Sequence, residues 1–217
     1  MSLLLLLLAS CQPSSGEPSP FYASGAGQRA TERSEVLAAR MPLSALGTSI
    51  VDRNGEVVEL RCVNWYGAHQ EVAAPGGLHV QPLEAIVTRI VQLGFNCVRL
   101  PYSLHLWYSD PKVADSVVSA NPALRGMTGM QVFDVAVQAM VAQGLMVVIN
   151  NHNSEASWCC QTDQEDGLWN TRTYPTQMWL DSLRGMARRY KHIPLVVGFD
   201  IRNEIRDYVV DGRTVVA

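Results

Sequence analysis

The sequence predicts an α/β fold in which parallel strands form the first part of a (β/α)8 TIM barrel. After about residue 60, short apolar runs alternate with segments of helical periodicity, and glycines close several of those segments. Such alternation is typical of βαβ units and a parallel sheet. Polar residues stand directly after the predicted strands, at the end where barrels carry their active sites. These residues are therefore the first candidates for function.

Four strands and three intervening helices are predicted. The strands cover residues 61–65, 95–101, 145–149 and a run from 194, and the helices cover 81–93, 130–143 and 175–190. The third strand is continuously apolar, as expected for a strand buried on both faces. The helices carry apolar residues at helical spacing. Because the sequence ends at Ala217, we expect a barrel truncated after about the fourth strand, within a domain at 47–217.

A β-hairpin is expected before the first barrel strand, over residues 48–60. Asn54 and Gly55 supply the positive-φ pair that a tight type I′ turn requires, and apolar residues alternate on both sides. This hairpin is predicted to close the bottom of the barrel.

The N-terminal segment is predicted to direct export. Residues 1–11 contain six consecutive leucines, which suit a secretory signal peptide and fall short of the ~20 apolar residues of a membrane span. Leu8 to Cys11 also resembles a lipoprotein cleavage box, so anchoring at the membrane through a lipidated Cys11 is the alternative to secretion. Residues 12–46, rich in Ser, Pro and Gly near their start, are predicted to be a flexible linker, with a short helix at 31–40.

Composition narrows the function classes. Of the 217 residues, 47% are hydrophobic and 17% charged, which favours a packed core. A net charge of −3 argues against nucleic acid as the main partner. No glycine-rich phosphate loop is present, which disfavours a phosphate-binding barrel. No cofactor and no metal are expected.

The candidate site residues lie at the ends of the four predicted strands. They are Trp65, Arg99, Asn151, His152, Asn203 and Glu204, with Trp158 in the loop after the third strand. Strand ends of a barrel converge on one cavity, where a carboxyl group can act as a proton donor. Each residue also has a structural alternative: core packing for the aromatic residues, an ion pair with Glu204 or a neighbour for Arg99, and a satisfied structural role for His152.

Four segments in order resemble glycoside hydrolase family 5, the cellulase-type retaining barrels. They are RCVNWYG, GFNCVRLPYS, VVINNHNSEASWCC and VVGFDIRNE, at residues 61–67, 94–103, 147–160 and 196–204. The last two segments are most similar to plant and algal members. Together the matches cover about residues 47–207.

The resemblance implies hydrolysis of a β-linked polysaccharide or glycoside. Glu204 matches the general acid/base, and Asn203 matches the neighbour that contacts the sugar 2-hydroxyl. Arg99 matches the arginine that supports the nucleophile, and His152 matches a histidine lining the −1 subsite. The remaining candidates for substrate contact are Asn151, Trp65 and Trp158.

The second carboxylate that retaining chemistry requires has no counterpart in the sequence. In the family this carboxylate lies at the end of the seventh strand. None of the acids near Glu204, including Asp200, is assigned as the nucleophile. The 217 residues are therefore predicted to lack normal hydrolytic turnover and to self-associate through unpaired sheet edges. The alternative is a non-catalytic carbohydrate-binding half-barrel, in which Glu204 only donates or accepts hydrogen bonds.

The cysteines leave their pairing open. Cys62 and Cys97 fall in adjacent predicted strands, where they also suit small core positions. A bond between the neighbours Cys159 and Cys160 is disfavoured, and other partners are expected in an oxidising compartment. A zinc site built from these two cysteines and His152 is disfavoured too.

Overall fold

The computed structural model describes residues 25–160 and 165–217. In this part of the chain the strands are β1 (Ser44–Leu46), β2 (Ser49–Val51), β3 (Cys62–Asn64), β4 (Cys97–Ser103), β5 (Met146–Asn153), β6 (Val196–Asp200), β7 (Tyr208–Val210) and β8 (Arg213–Val215). The α-helices are α1 (Gly25–Ala38), α2 (Leu83–Gln92), α3 (Leu104–Ser109), α4 (Gly129–Ala142) and α5 (Thr176–Tyr190). A 3-10 turn covers Pro122–Leu124. No helix among the described residues is both long and apolar enough to cross a membrane.

A four-stranded parallel sheet with the order β3-β4-β5-β6 forms the centre of the fold. Helices α2, α4 and α5 connect its successive strands, as the alternating pattern of the sequence predicts. The strand registers align Asn64 with Arg99 and Asn150 with Asp200. The carboxyl ends of all four strands therefore meet at one edge of the sheet.

The core lies between the sheet and its helices. Val98 and Leu100 of β4 and Val147 and Ile149 of β5 are fully buried in one apolar cluster. Helix α4 contributes most to this cluster from the helix side, through Val132, Phe133, Ala136, Val137 and Met140. The helix begins with a capping box, in which Thr128 and Gln131 exchange hydrogen bonds between side chain and backbone. This packed layer holds β4 and β5 in place, and with them the polar residues at the carboxyl ends of these strands.

Residues before the sheet cover its amino-terminal edge. Helix α1 and strand β1 lie within the range 12–46 that the sequence predicts as a flexible linker, so the described part of that range is ordered. The physical reason is burial: Leu37 and Met41 pack against Cys97, Met146 and Leu195 at the start of the strands. The predicted signal at 1–11 and the linker residues 12–24 lie outside the described residues.

The chain reverses direction twice before the sheet. Strands β1 and β2 pair antiparallel around Gly47, a turn that was not predicted. The chain turns again at Asn54 and Gly55, where a bridge joins Val51 to Val57 and the Val58 amide donates to the Ile50 carbonyl. A further hairpin, β7–β8, was not expected from the sequence.

Cys62 and Cys97 form a disulfide between β3 and β4. The two residues are register partners in adjacent parallel strands. Of the alternatives left open by the sequence, the structure therefore selects a covalent link at the bottom of the sheet.

Gly185 marks a close approach between α5 and α3. A Cβ at this position would overlap Cζ2 of Trp107. We expect Gly185→Ala to lower the free energy of unfolding by ~1–3 kcal/mol through overpacking, because the clash outweighs a helix-propensity gain of at most ~1 kcal/mol. Urea denaturation measures this. Gly198→Ala is the control, since the nearest atom to its Cβ is 4.0 Å away, and an equal loss in both variants would contradict the prediction.

Candidate active site

A cavity of about 260 Å³ opens at the carboxyl ends of the four parallel strands. Its polar lining includes Asn64, Arg99, His152, Asn203 and Glu204. Four of the sequence-predicted site residues thus converge on one hollow, as expected for a barrel edge. Trp158, a fifth, forms part of the rim.

Arg99 is the hub of the polar network. Its guanidinium binds the carboxylate of Asp200 through Nε at 2.9 Å and Nη2 at 2.5 Å. Nη2 also donates to Oδ1 of Asn203 at 2.8 Å, and Nη1 donates to Oδ1 of Asn64 at 3.2 Å. Arg99 therefore forms its ion pair with Asp200 and not with Glu204. Asp200 has a structural role in this network.

His152 is held in one tautomer by its neighbour. Its Nδ1 lies 2.7 Å from Oδ1 of Asn150, whose Nδ2 donates to Asp200 at 3.0 Å. Because Oδ1 only accepts, Nδ1 of His152 carries the proton and Nε2 is left as an acceptor. Burial lowers the pKa of His152 to about 3, with a further contribution from the charge of nearby groups including His69. The imidazole is neutral at ordinary pH.

His69 is a site residue that the sequence analysis missed. Its ring centroid lies 4.3 Å from that of His152, and it lines the same cavity. Both ring nitrogens are buried without a hydrogen-bond partner among the described residues. Burial and the charge of Arg99 lower its pKa to about 4. No periodic pattern marks it, because it stands in the loop after β3.

Tyr66 and Trp158 form an apolar surface beside the polar groups. Their rings stack with centroids 5.6 Å apart, and the residues remain 53% and 61% exposed. An exposed aromatic pair at a cavity rim suits the apolar face of a sugar ring. Tyr66 belongs to this surface although only Trp65 and Trp158 were predicted.

Trp65 and Asn151 do not line the cavity, which differs from the prediction. Trp65 is buried, and its Nε1 donates to the carbonyl of Gly76 at 2.9 Å. Asn151 is fully buried, and its Oδ1 accepts from Nη1 of Arg202 at 3.1 Å. Both residues support the site from beneath.

Glu204 has an unusual backbone at the rim. Its φ is +36°, in the left-handed region that costs a non-glycine residue ~1–3 kcal/mol. Backbone hydrogen bonds on both sides hold this conformation. The backbone N–H of Asn203 donates to the Asn151 carbonyl, and the backbone N–H of Arg206 donates to the Gly167 carbonyl. Such strain is concentrated at functional sites. Glu204 is also the only carboxylate among the described residues that line the cavity.

Cys159 and Cys160 form a disulfide with each other, in contrast to the expectation of other partners. Sγ of Cys160 lies 3.0 Å from Oε2 of Glu204, and Nδ2 of Asn203 donates to Sγ of Cys159 at 3.2 Å. The two sulfurs and the Glu204 carboxylate cluster within 4.8 Å. Sulfurs joined in a disulfide offer no thiolate to a metal, since the thiolate is the ligand form of cysteine.

Stability should fall as the pH drops below about 6.5. The folded-state pKa values of His69 and His152, about 4 and about 3, lie below the ordinary 6.5. The unfolded chain therefore takes up protons first, and stability present above pH 6.5 is lost towards the folded pKa values. The upper limit is ~1.4 kcal/mol per pH unit for each histidine.

Urea denaturation of the wild type and of a His69→Gln/His152→Gln variant, compared from about pH 7 to about pH 5, measures this effect. The variant should show a flatter dependence of stability on pH. Parallel curves for the two proteins would contradict the assignment to these histidines.

Comparison with known proteins identifies the family. Residues 51–215 match the Cellulase family, which is glycosyl hydrolase family 5. The chain belongs to glycosyl hydrolase family 5. The resemblance noted from the four sequence segments is thus confirmed.

Two curated relatives are each 34% identical to this chain. A glycosyl hydrolase 5 family protein from Chamaecyparis obtusa aligns over 183 residues, 76% of this chain and 33% of the relative. The major extracellular endoglucanase of Xanthomonas campestris aligns over 155 residues, 71% of this chain and 31% of the relative. The family 5 chain thus spans about a third of the length of these relatives.

Solved structures agree with the barrel class. The catalytic domain of the Xanthomonas campestris major endoglucanase matches with a TM-score of 0.68 at 32% identity, over 76% of this chain and 46% of that one. An endocellulase from Pyrococcus horikoshii, solved with cellotetraose, matches with a TM-score of 0.69 at 22% identity, over 79% and 45%. The second match bears on the fold alone. The described residues hold four parallel strands of this (β/α)8 family fold.

Proposed function

We propose that the cavity is the acid/base side of a retaining glycosidase active site that takes a β-linked glucan. The observation that carries the proposal is the placement of Glu204 in one cavity with Arg99, His152 and Asn203, at the carboxyl ends of parallel strands. The endoglucanase names of the relatives support a glucan substrate. Family 5 membership supports hydrolysis of its glycosidic bonds.

Each side chain has a role in this mechanism. Glu204 protonates the departing glycosidic oxygen and later activates water, as the acid/base of a retaining enzyme does. The Asn203 amide, oriented by Arg99, contacts the sugar 2-hydroxyl. Neutral His152 accepts a hydrogen bond from a sugar hydroxyl through Nε2. Tyr66 and Trp158 stack on the ring.

The chemistry also needs a nucleophilic carboxylate ~5–5.5 Å from the acid/base. Glu204 is the only carboxylate among the described residues that line the cavity, so these residues supply no second one. We therefore propose that the 217 residues bind glucan and do not turn it over at a normal rate. The same observation favours the second candidate, a non-catalytic glycan-binding protein built on this fold.

Secretion is proposed as well, with lipid anchoring through Cys11 as the alternative. The Xanthomonas campestris relative is described as extracellular. The disulfide between Cys62 and Cys97 suits an oxidising compartment. Self-association through the outer edges of β3 and β6 remains a proposal, since each is an end strand of the parallel sheet.

Trp158→Ala should weaken cellotetraose binding about tenfold, because the exposed ring supplies stacking area that alanine lacks. Isothermal titration of the oxidised chain measures the dissociation constant. Leu46→Ala, which removes an exposed apolar side chain far along the sequence from the cavity residues, is the control. Absence of cellotetraose binding by the wild type would overturn the proposed function, and equal effects of the two variants would overturn the role of Trp158.

A further inference from the structure

The Cys159–Cys160 disulfide touches two of the residues that are proposed to meet the sugar, Asn203 and Glu204. Cys159 Sγ accepts the Nδ2–H of Asn203 at 3.2 Å, and Cys160 Sγ lies 3.0 Å from Oε2 of Glu204. Both cysteines also line the cavity. The disulfide therefore forms a wall of the site next to the acid/base.

The Asn203 amide is held from two sides. Its Oδ1 accepts from Nη2 of Arg99 at 2.8 Å, and its Nδ2 donates to the Cys159 sulfur. Arg99 is itself fixed by Asp200. The sulfur is the only described partner of Nδ2, so without it this end of the amide has no hydrogen bond within the described residues.

The backbone on the two sides of this contact is constrained. Cys160 has a φ of +86° and Glu204 a φ of +36°, both in the left-handed region that non-glycine residues rarely adopt. A covalent ring between adjacent residues limits the rotamers of both side chains, so the two sulfurs stay on the side of Asn203 and Glu204. Free thiols would each return to independent rotamers.

We propose that the Cys159–Cys160 disulfide is a positioning element: it fixes the side-chain amide of Asn203 through a hydrogen bond and limits, by contact, the positions of the Glu204 carboxyl. The inference rests on the proposed function, and it makes the glycan site sensitive to thiol reductants. A dithiol such as dithiothreitol reduces the bond: two electrons pass to the protein sulfurs, which become two thiols, and the reductant closes into its cyclic disulfide.

Cellotetraose titration of a Cys62→Ala/Cys97→Ala variant, with and without dithiothreitol, tests the inference. This background removes the other described disulfide, so reduction acts on Cys159–Cys160. We expect binding to weaken about three- to tenfold on reduction, which corresponds to the loss of the one hydrogen bond that orders the Asn203 side chain. A Cys159→Ala/Cys160→Ala variant should bind as weakly as the reduced protein and should not respond to dithiothreitol.

A second measurement does not depend on glycan. The side-chain amide resonance of Asn203, assigned by comparison with Asn203→Asp, should shift on reduction of the Cys62→Ala/Cys97→Ala variant. An unmoved resonance, or glycan binding unchanged by reduction, overturns the positioning role. If the oxidised wild type fails to bind cellotetraose, the proposed function fails, and the amide resonance alone still decides whether the disulfide positions Asn203.

Discussion

Arg202→Met is expected to lower the free energy of unfolding by ~3–5 kcal/mol, the usual cost of breaking a buried ion pair from one side. Arg202 and Asp166 pair where both side chains are almost completely excluded from solvent, at 1% and 3% exposure. Burial lowers the pKa of Arg202, although the charge of Asp166 opposes that shift. Methionine fills similar space but leaves the Asp166 carboxylate with the Ser154 amide as its remaining described partner.

The loss should extend beyond the ion pair. Arg202 also donates to Oδ1 of Asn151, which lies directly under the cavity. Urea denaturation monitored by tryptophan fluorescence gives the free energy. Arg184→Met is the matched control, because its pair with Asp181 is exposed and should be worth less than ~1 kcal/mol.

A double variant separates the buried charge from lost packing. Adding Asp166→Asn to Arg202→Met removes the unpaired carboxylate, so it should recover part of the stability. Equal stability of the single and double variants would contradict the electrostatic explanation. A loss in Arg202→Met no greater than in Arg184→Met would contradict the prediction itself.

The order of strands and helices could be predicted because it depends on apolar periodicity, which a single sequence displays. Strand β5 and helix α4 were placed within a few residues of their observed ends, since both bury long apolar stretches. Within the predicted linker a short helix was expected only at 31–40, whereas α1 covers Gly25–Ala38, because the burial of this segment depends on the distant residues Cys97 and Met146. Tertiary contacts of that kind leave no local signal.

Five of the predicted residues line the cavity, two predictions miss it by one position, and His69 was not predicted. Side chains alternate across a strand, so a shift of one residue moves a side chain to the other face. Asn150 therefore joins the His152 and Asp200 network, while the predicted Asn151 points to Arg202. At the end of β3 the same parity places Tyr66 at the cavity and Trp65 in the core. The sequence locates the end of a strand but does not show which of two consecutive residues there faces the cavity.

Glu204→Gln should separate an acid/base from a binding residue once an added small carboxylate acts as the nucleophile. The described residues supply Glu204 as the one carboxylate of the cavity, so formate is added as the external nucleophile. With formate present, we expect the wild type to cleave aryl β-cellobiosides slowly, and without it to show no measurable turnover. Two such substrates are compared, a dinitrophenyl and a phenyl β-cellobioside. Dinitrophenolate leaves without protonation, whereas phenolate requires an acid.

The expected result is a difference between the two leaving groups. Glu204→Gln should lower formate-dependent cleavage of the phenyl substrate by ~10²–10⁴-fold, the usual contribution of general acid catalysis, and leave the dinitrophenyl substrate nearly unchanged. Release of each phenol is followed by absorbance. Glu155→Gln, a neighbouring acid that does not line the cavity, is the control and should alter neither rate. Two results together would contradict the acid/base role: no turnover with formate, and equal cellotetraose binding by the wild type and Glu204→Gln. Glu204 would then be a hydrogen-bonding residue of a glycan-binding protein, because glutamine keeps the hydrogen bonds and loses only the acid.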